Sequence, residues 1–173
     1  MPLRGNGPES RLRPWQSWLS TLARLILGVV WIVAGVLKAG DLDASVRAVR
    51  AYRLLPEIAA QLLGAGLPFA EIVLGVLLVV GLGVRIAAVV SALLMTMFIV
   101  GIVSAWARGL QIDCGCFGSG GQLGAGESPT YGTEVARDVT LLVLAFGLAR
   151  WPRSRFSLDG VLYRSPPDEV TVG

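Results

Sequence analysis

Long apolar segments are the feature that most constrains the fold of this 173-residue chain. No charged residue occurs from Ile86 to Trp106, and two further apolar blocks cover about residues 18–38 and 62–84. A helix of about 20 residues, rising about 1.5 Å per residue, crosses the hydrocarbon core of a bilayer. Charged residues make up only 16% of the chain, well below the quarter that is typical of soluble domains. We therefore expect the chain to be an integral membrane protein.

A fourth segment, about residues 134–151, is predicted to complete the membrane domain. Its uninterrupted apolar part, Val139 to Ala149, is short for a span. The segment can cross the bilayer only if Arg137 and Asp138 face protein or water instead of lipid. The predicted fold class is therefore all-α, an integral membrane four-helix bundle. The predicted boundaries are a disordered N-terminal tail at 1–14, a transmembrane domain at 15–151 with spans at about 18–38, 62–84, 86–106 and 134–151, and a C-terminal tail at 152–173.

A short amphipathic helix is predicted between the first two spans. Val46, Val49, Tyr52 and Leu55 recur at helical spacing with arginines between them, and Pro56 is expected to end the helix. Such a helix is typical of segments that lie on a membrane surface.

The distribution of charge predicts the orientation of the bundle. With both termini in the cytoplasm, nine of the fifteen basic residues lie inside and eight of the twelve acidic residues lie outside. This arrangement agrees with the positive-inside rule. It places the amphipathic helix and the loop between the third and fourth spans on the extracytoplasmic side of the cell membrane. No interleaving of basic and aromatic residues is present, which argues against a nucleic-acid partner.

The predicted extracytoplasmic loop holds the only two cysteines of the chain, Cys114 and Cys116, in the stretch QIDCGCFGSGG. A disulfide across one residue closes a very small ring, so it restricts the unfolded chain little. It also strains the preferred torsion, which makes it easier to reduce. Gly115 gives the backbone the freedom that such a bond needs. The pair is therefore interpreted first as a redox carrier, and soft-metal binding or an inert structural pair are the alternatives.

The chain has no histidine, which narrows the chemistry that it can perform. Serine–histidine and cysteine–histidine catalysis and histidine-ligated metals are excluded. Two thiolates alone suit Cu(I) and are too few for structural zinc, so no metal site is assigned.

Charged residues near the predicted outer face could tune the two thiols. Lys38 ends the first span, Glu71 lies about two turns into the second, and Arg137 and Asp138 open the fourth beside Glu134. A nearby cation lowers the pKa of a thiol, and a carboxylate at membrane depth can exchange a proton. An acid inside a span is expensive, so Glu71 is expected to be functional or ion-paired, with Lys38 or with Arg137.

Four stretches together resemble the MauE family, a branch of the DoxX-like four-helix membrane proteins. They are AGVLKAGDLDASVRAVRAYRLLP, LPFAEIVLG, DCGCFG and TEVARDVTLL. The resemblance implies four spanning helices and a role beside a thioredoxin-like partner in extracytoplasmic disulfide formation, as in methylamine dehydrogenase maturation. DoxX relatives are linked to quinone-coupled sulfur oxidation. The positions that match the family are Lys38, Asp41, Glu71, Cys114, Cys116, Arg137 and Asp138.

The predicted function is a thiol–disulfide electron relay in which Cys114 and Cys116 exchange with a thioredoxin-fold partner. A quinone held in the bundle near Glu71 and Arg137 is a possible second electron partner. Lys38 and Asp138 complete the set of candidate catalytic residues. The rival functions are capture or transport of a soft metal by the cysteine loop, and a membrane assembly subunit whose cysteines do not turn over.

Overall fold

The computed structural model describes residues 14–116, 120–124 and 127–151. The tails predicted at 1–14 and 152–173 therefore lie outside the described residues, apart from Pro14. The described part is mostly helical. Its elements are α1 (Pro14–Ala39), α2 (Leu42–Ala51), α3 (Glu57–Val80), α4 (Val84–Ala107), β1 (Ile112–Asp113), β2 (Gly121–Gln122) and α5 (Tyr131–Arg150).

Three of these helices are long and apolar enough to cross a membrane, as the sequence predicts. They cover Ser17–Ala39, Glu57–Val80 and Val84–Ala107. Large apolar side chains are exposed along them, such as Leu62 and Val100, which is the pattern of a surface that faces lipid. The protein is therefore a multi-pass membrane protein.

The second span ends at Val80, four residues before the predicted end at 84. Gly81 follows it with a φ of 78°, a left-handed conformation that favours glycine, and its N–H bonds to the carbonyl of Leu77. The chain reverses through Gly83, and α4 begins at once. Glycine geometry, which hydropathy does not report, sets this boundary.

Small residues let α1 and α3 pack closely. A Cβ atom added at Gly35 would lie 2.6 Å from the carbonyl oxygen of Pro68, and one added at Gly75 would lie 2.7 Å from that of Gly28. Such distances are too short for any residue larger than glycine, and this kind of contact is typical of helix pairs in membranes. The close approach positions the C-terminal end of α1, at Lys38, beside Glu71 of α3.

The amphipathic helix is present as α2, but its buried face differs from the prediction. The helix ends at Ala51, before Leu55 and Pro56, and Leu55 is exposed. Its buried residues are small, whereas Val46, Val49 and Tyr52 are only half-buried. The buried set consists of Ala44, Ser45, Ala48 and Ala51.

A proline in α3 explains how α2 is attached to that helix. Pro68 has no N–H, so the carbonyl of Gly64, four residues earlier, lacks its helical donor. The hydroxyl of Ser45 donates to that carbonyl at 2.7 Å. A Cβ at Gly64 would lie 2.5 Å from the Cα of Val46, so the two helices are in direct contact. The α2 helix therefore packs on α3 at the end of the bundle that holds the cysteine loop.

The segment between α4 and α5 was predicted to be loop throughout, but it contains a short antiparallel ribbon. Ile112 pairs with Gln122 and Asp113 pairs with Gly121. This ribbon brackets the two cysteines. The α5 helix then packs against α4 and α1, with Leu141, Ala145 and Leu148 in the core.

Candidate functional site

The two cysteines lie in a compact loop that presses against α2. Gly115, between them, has a φ of 68°, as expected of a position where glycine is favoured. A Cβ at Gly115 would lie 2.8 Å from the Cβ of Ala48, and one at Gly120 would lie 2.1 Å from the Cα of Gly115. The loop therefore requires glycine at both positions and a small residue on α2.

Cys114 is half-buried, and its sulfur is surrounded by donors. The backbone N–H of Cys116 donates to this sulfur at 3.3 Å, and Nη2 of Arg137 donates to it at 3.8 Å. The thiol of Cys116 also donates to it, and these contacts together lower the pKa of Cys114 despite partial burial. Cys114 is therefore the cysteine that forms a thiolate more readily.

Cys116 differs from Cys114 because it is buried, with only 8% of its surface exposed. Its hydrogen bond to Cys114 and its burial both raise its pKa well above the ordinary value. The two sulfurs, which the sequence presents as equivalent, thus differ in exposure and in acidity.

Tyr52, at the end of α2, ties the cysteine loop to the helices. Its hydroxyl donates to the carbonyl oxygen of Cys114 at 3.0 Å, and burial raises the pKa of this phenol, so it remains a neutral donor. Gly101 of α4 gives space to its ring, since an added Cβ would lie 3.4 Å from the ring. Tyr52 fixes the backbone at the cysteine that carries the thiolate.

Lys38 and Glu71 form a buried ion pair beneath the loop. Nζ of Lys38 lies 2.5 Å from Oε1 of Glu71, and the two side chains are 4% and 0% exposed. The ammonium group also lies 5.4 Å from the centre of the Phe98 ring, a cation–π distance. The pairing of Glu71 is therefore with Lys38, one of the two partners expected from the sequence.

Arg137 and Asp138 form the second pair, in the first half of α5. Nε and Nη2 of Arg137 both lie 2.9 Å from Oδ1 of Asp138. The Asp138 side chain is 3% exposed, while that of Arg137 is 33% exposed and reaches Cys114. Arg137 thus links the half-buried sulfur to a buried carboxylate.

A small cavity joins these groups. Its volume is about 10 Å³, room for about one water molecule, and its polar lining consists of Lys38, Glu71, Cys116 and Asp138. Trp31 and Phe98 form part of its apolar wall. Ligand pockets usually measure about 300 Å³ or more, so a quinone headgroup does not fit beside Glu71 in this arrangement.

A larger groove of about 400 Å³ lies between α3 and α4, away from the cysteines. It is apolar throughout, lined by side chains such as Val73, Leu77 and Ile86. It offers no polar side chain to orient a quinone headgroup.

The sulfur of Cys114 and two neighbouring carboxylates form a group that could hold a metal ion. They come from Asp113, Cys114 and Glu134 and lie within 4.8 Å of one another. One sulfur with two carboxylates is a harder donor set than the two thiolates that suit Cu(I). The geometry therefore does not favour the soft-metal site that the two cysteines alone suggest.

Comparison with known proteins assigns this chain to a family. The family model described as methylamine utilisation protein MauE matches residues 16–150. The chain belongs to the MauE family. A curated relative named methylamine utilization protein MauE, from Paracoccus denitrificans, is 32% identical over 127 residues, which cover 73% of this chain. The match covers 66% of that MauE protein, just under two thirds of its length, and no solved structure matches the chain.

Most of the positions that resemble MauE proteins meet around the cysteine loop, and one does not. Lys38, Glu71, Cys116 and Asp138 share the cavity, and Arg137 contacts Cys114. Asp41 instead caps α2, accepting the N–H of Ala44 at 2.8 Å, and its side chain is 61% exposed. Asp41 thus stabilises the start of α2, the helix that packs on the cysteine loop, and Asp41 itself lies apart from the buried cluster.

Three contacts around the cysteines were missed from the sequence. Tyr52 was interpreted as part of an apolar face, Asp113 was not singled out, and Ala48 looked like an ordinary helical alanine. The only available signal was that Asp113 directly precedes Cys114. The other two contacts depend on how α2 packs on the loop, which no local pattern in the sequence reports.

Proposed function

We propose that this MauE-family protein relays electrons between thiols, with Cys114 and Cys116 cycling between dithiol and disulfide. The observation that carries the proposal is the asymmetry of the pair. The sulfur of Cys114 is half-buried and is stabilised as a thiolate by hydrogen bonds from Cys116 and Arg137, whereas the sulfur of Cys116 is buried beside the cavity. Enzymes that exchange disulfides use such a division between an attacking and a resolving thiol.

We also propose that α5 is a fourth span and that the cysteine loop is extracytoplasmic. The α5 helix has 20 residues, enough to cross the hydrocarbon core. Its Val143 and Phe146 are 64% and 60% exposed, whereas Glu134 and Asp138 are buried in the protein. This is the condition under which a helix that contains charged residues can span. Four spans put both termini on one side, and the arginine distribution makes that side the cytoplasm.

The chemistry proceeds in two exchanges with a thioredoxin-fold partner. The Cys114 thiolate attacks the partner's disulfide and forms a mixed disulfide, releasing one partner thiolate. Cys116 then attacks the sulfur of Cys114 and releases the second partner thiolate. The partner gains two electrons, and the cysteine pair becomes a disulfide. The reverse sequence oxidises the partner.

Family membership supports a setting for this relay. The relative in Paracoccus denitrificans is named for methylamine utilisation, and we place this protein in the same process. An exported protein that carries disulfides is the substrate class that an extracytoplasmic relay serves.

Labelling of intact cells with a membrane-impermeant maleimide tests the proposal. After mild reduction we expect Cys114 to react rapidly even at a pH below the ordinary thiol pKa of about 8.5, because its thiolate is stabilised. Cys116 should react much more slowly, because it is buried. Both should be protected before reduction. Peptide mass analysis of each cysteine gives the two rates.

Two outcomes would contradict the proposal. Labelling that occurs only after the cells are opened would show that the loop is cytoplasmic. Labelling that is the same with and without reductant would support the rival function, an assembly subunit whose cysteines do not turn over. The single-serine variants Cys114→Ser and Cys116→Ser serve as the matched controls for assigning each rate.

A further inference from the structure

The cavity below Cys116 brings together groups that the two exchange steps do not use. Lys38 comes from α1, Glu71 from α3 and Asp138 from α5, and all three side chains line the cavity with Cys116. Each side chain is almost fully buried, with 5% or less of the residue exposed. Burying so many charged groups in a membrane protein is costly, and such groups usually mark a functional site.

Two carboxylate oxygens of this cluster have no hydrogen-bond partner among the described residues. They are Oδ2 of Asp138 and Oε2 of Glu71. The other oxygen of each group is held by a cation, Arg137 for Asp138 and Lys38 for Glu71. An unpaired buried polar atom is destabilising, and in native proteins such atoms often belong to catalytic groups. Both remain able to accept a proton from a group in the cavity.

The resolving step requires such an acceptor. Cys116 must become a thiolate to attack the mixed disulfide, because the thiol is a poor nucleophile. In the mixed disulfide Cys114 is no longer a thiolate, but burial still raises the pKa of Cys116, and only 8% of its surface reaches solvent. Its proton therefore needs an acceptor on the buried side.

We infer that Asp138 accepts the proton of Cys116 during resolution, while the Lys38–Glu71 pair keeps the cavity polar enough for the transfer. The inference rests on the proposed relay. The S–H bond of Cys116 breaks, and the proton passes to Oδ2 of Asp138, directly or through one water molecule in the cavity. The Cys116–Cys114 bond forms, and the bond from Cys114 to the partner breaks. The electron pair leaves with the partner's sulfur, and in the reverse direction protonated Asp138 returns the proton to Cys116.

An aromatic disulfide made of two nitrobenzoate thiols tests the inference on the whole protein in detergent. Attack by Cys114 releases one coloured thiolate, and resolution by Cys116 releases the second, so absorbance separates the two steps. Asp138→Asn keeps Oδ1 as an acceptor for Arg137 but removes the proton acceptor. We expect the second release to slow about 100-fold and the first to change little. Asp43→Asn, which replaces an exposed acid of α2, should leave both releases unchanged.

A measurement on the unsubstituted protein covers the case in which Asp138→Asn fails to fold. With an internal acceptor, the rate of the second release stays level between about pH 7 and 9, whereas deprotonation by bulk hydroxide would raise it about tenfold per unit. The titratable and charged groups around the two sulfurs are Lys38, Tyr52, Glu71, Asp113, Glu134, Arg137 and Asp138.

The outcomes separate the inference from the relay itself. A second release that Asp138→Asn leaves unchanged, or that rises with hydroxide in the unsubstituted protein, overturns the role of Asp138 and leaves the relay standing. A single release from the unsubstituted protein overturns both.

Discussion

Glu71→Leu, with Lys38 retained, is expected to lower the free energy of unfolding by about 3–5 kcal/mol. The ammonium group would lose a carboxylate that lies 2.5 Å away, in a site where the two side chains are 4% and 0% exposed. Lys38→Met should cost a similar amount, because it leaves the carboxylate buried without its cation. Denaturant unfolding of the purified protein in one detergent measures both values.

The double variant Lys38→Met, Glu71→Leu is the control for this prediction. Apolar residues of similar volume often replace a buried ion pair without loss of stability, so the double variant should recover most of the free energy that either single change loses. Costs that simply add would show that the two residues act independently and would contradict the pairing.

Cys116→Ser is expected to trap the partner on Cys114, while Cys114→Ser is expected to trap little or nothing. In the proposed relay the exchange starts at the half-buried sulfur of Cys114 beside Arg137, and removal of the resolving thiol leaves the mixed disulfide without its intramolecular exit. Both variants should lose turnover to background, because each removes a sulfur that the cycle needs. Non-reducing gels followed by mass spectrometry identify the trapped protein.

Arg137→Gln in the Cys116→Ser background tests the origin of this asymmetry. Loss of the cation beside Cys114 should slow trapping at neutral pH and leave it nearly unchanged at high pH, where the thiolate forms without help. Equal trapping by the two single-serine variants would contradict the assignment of Cys114 as the attacking sulfur.

The sequence was sufficient for the parts of the fold that depend on local pattern. Apolar runs long enough to span predicted the three membrane-length helices, and the run from Ile86 to Trp106 lies inside α4 (Val84–Ala107). The sequence also indicated that Gly115 gives the backbone unusual freedom, and its φ in the structure is positive. The position of charged residues near one end of the bundle was enough to predict that Lys38, Glu71, Arg137 and Asp138 would converge.

What the sequence could not predict depends on tertiary contact. The buried face of α2 consists of small residues because α3 and the cysteine loop approach it closely, and hydrophobic periodicity favoured Val46 and Val49 instead. The bond from Ser45 to the carbonyl of Gly64 follows from Pro68 on another helix. Such pairings become visible only when the helices are placed together.

The difference between the two cysteines also depends on tertiary contacts. Cys114 and Cys116 flank one glycine and are equivalent in the sequence, but the Arg137 guanidinium donates to the sulfur of Cys114, whereas Cys116 lines the cavity. The size of that cavity, about 10 Å³, also could not be read from the residues, and it is too small for a quinone headgroup beside Glu71.

Equilibration of the purified protein in dithiol–disulfide redox buffers, followed by acid quenching and intact mass analysis, tests the central claim most directly. We expect one cooperative, reversible transition in which the chain loses the two thiol hydrogens of Cys114 and Cys116, at a potential above those of structural disulfides, about −300 mV. A pair that stays reduced under every buffer, or a disulfide that strong reductant does not open, would contradict the relay.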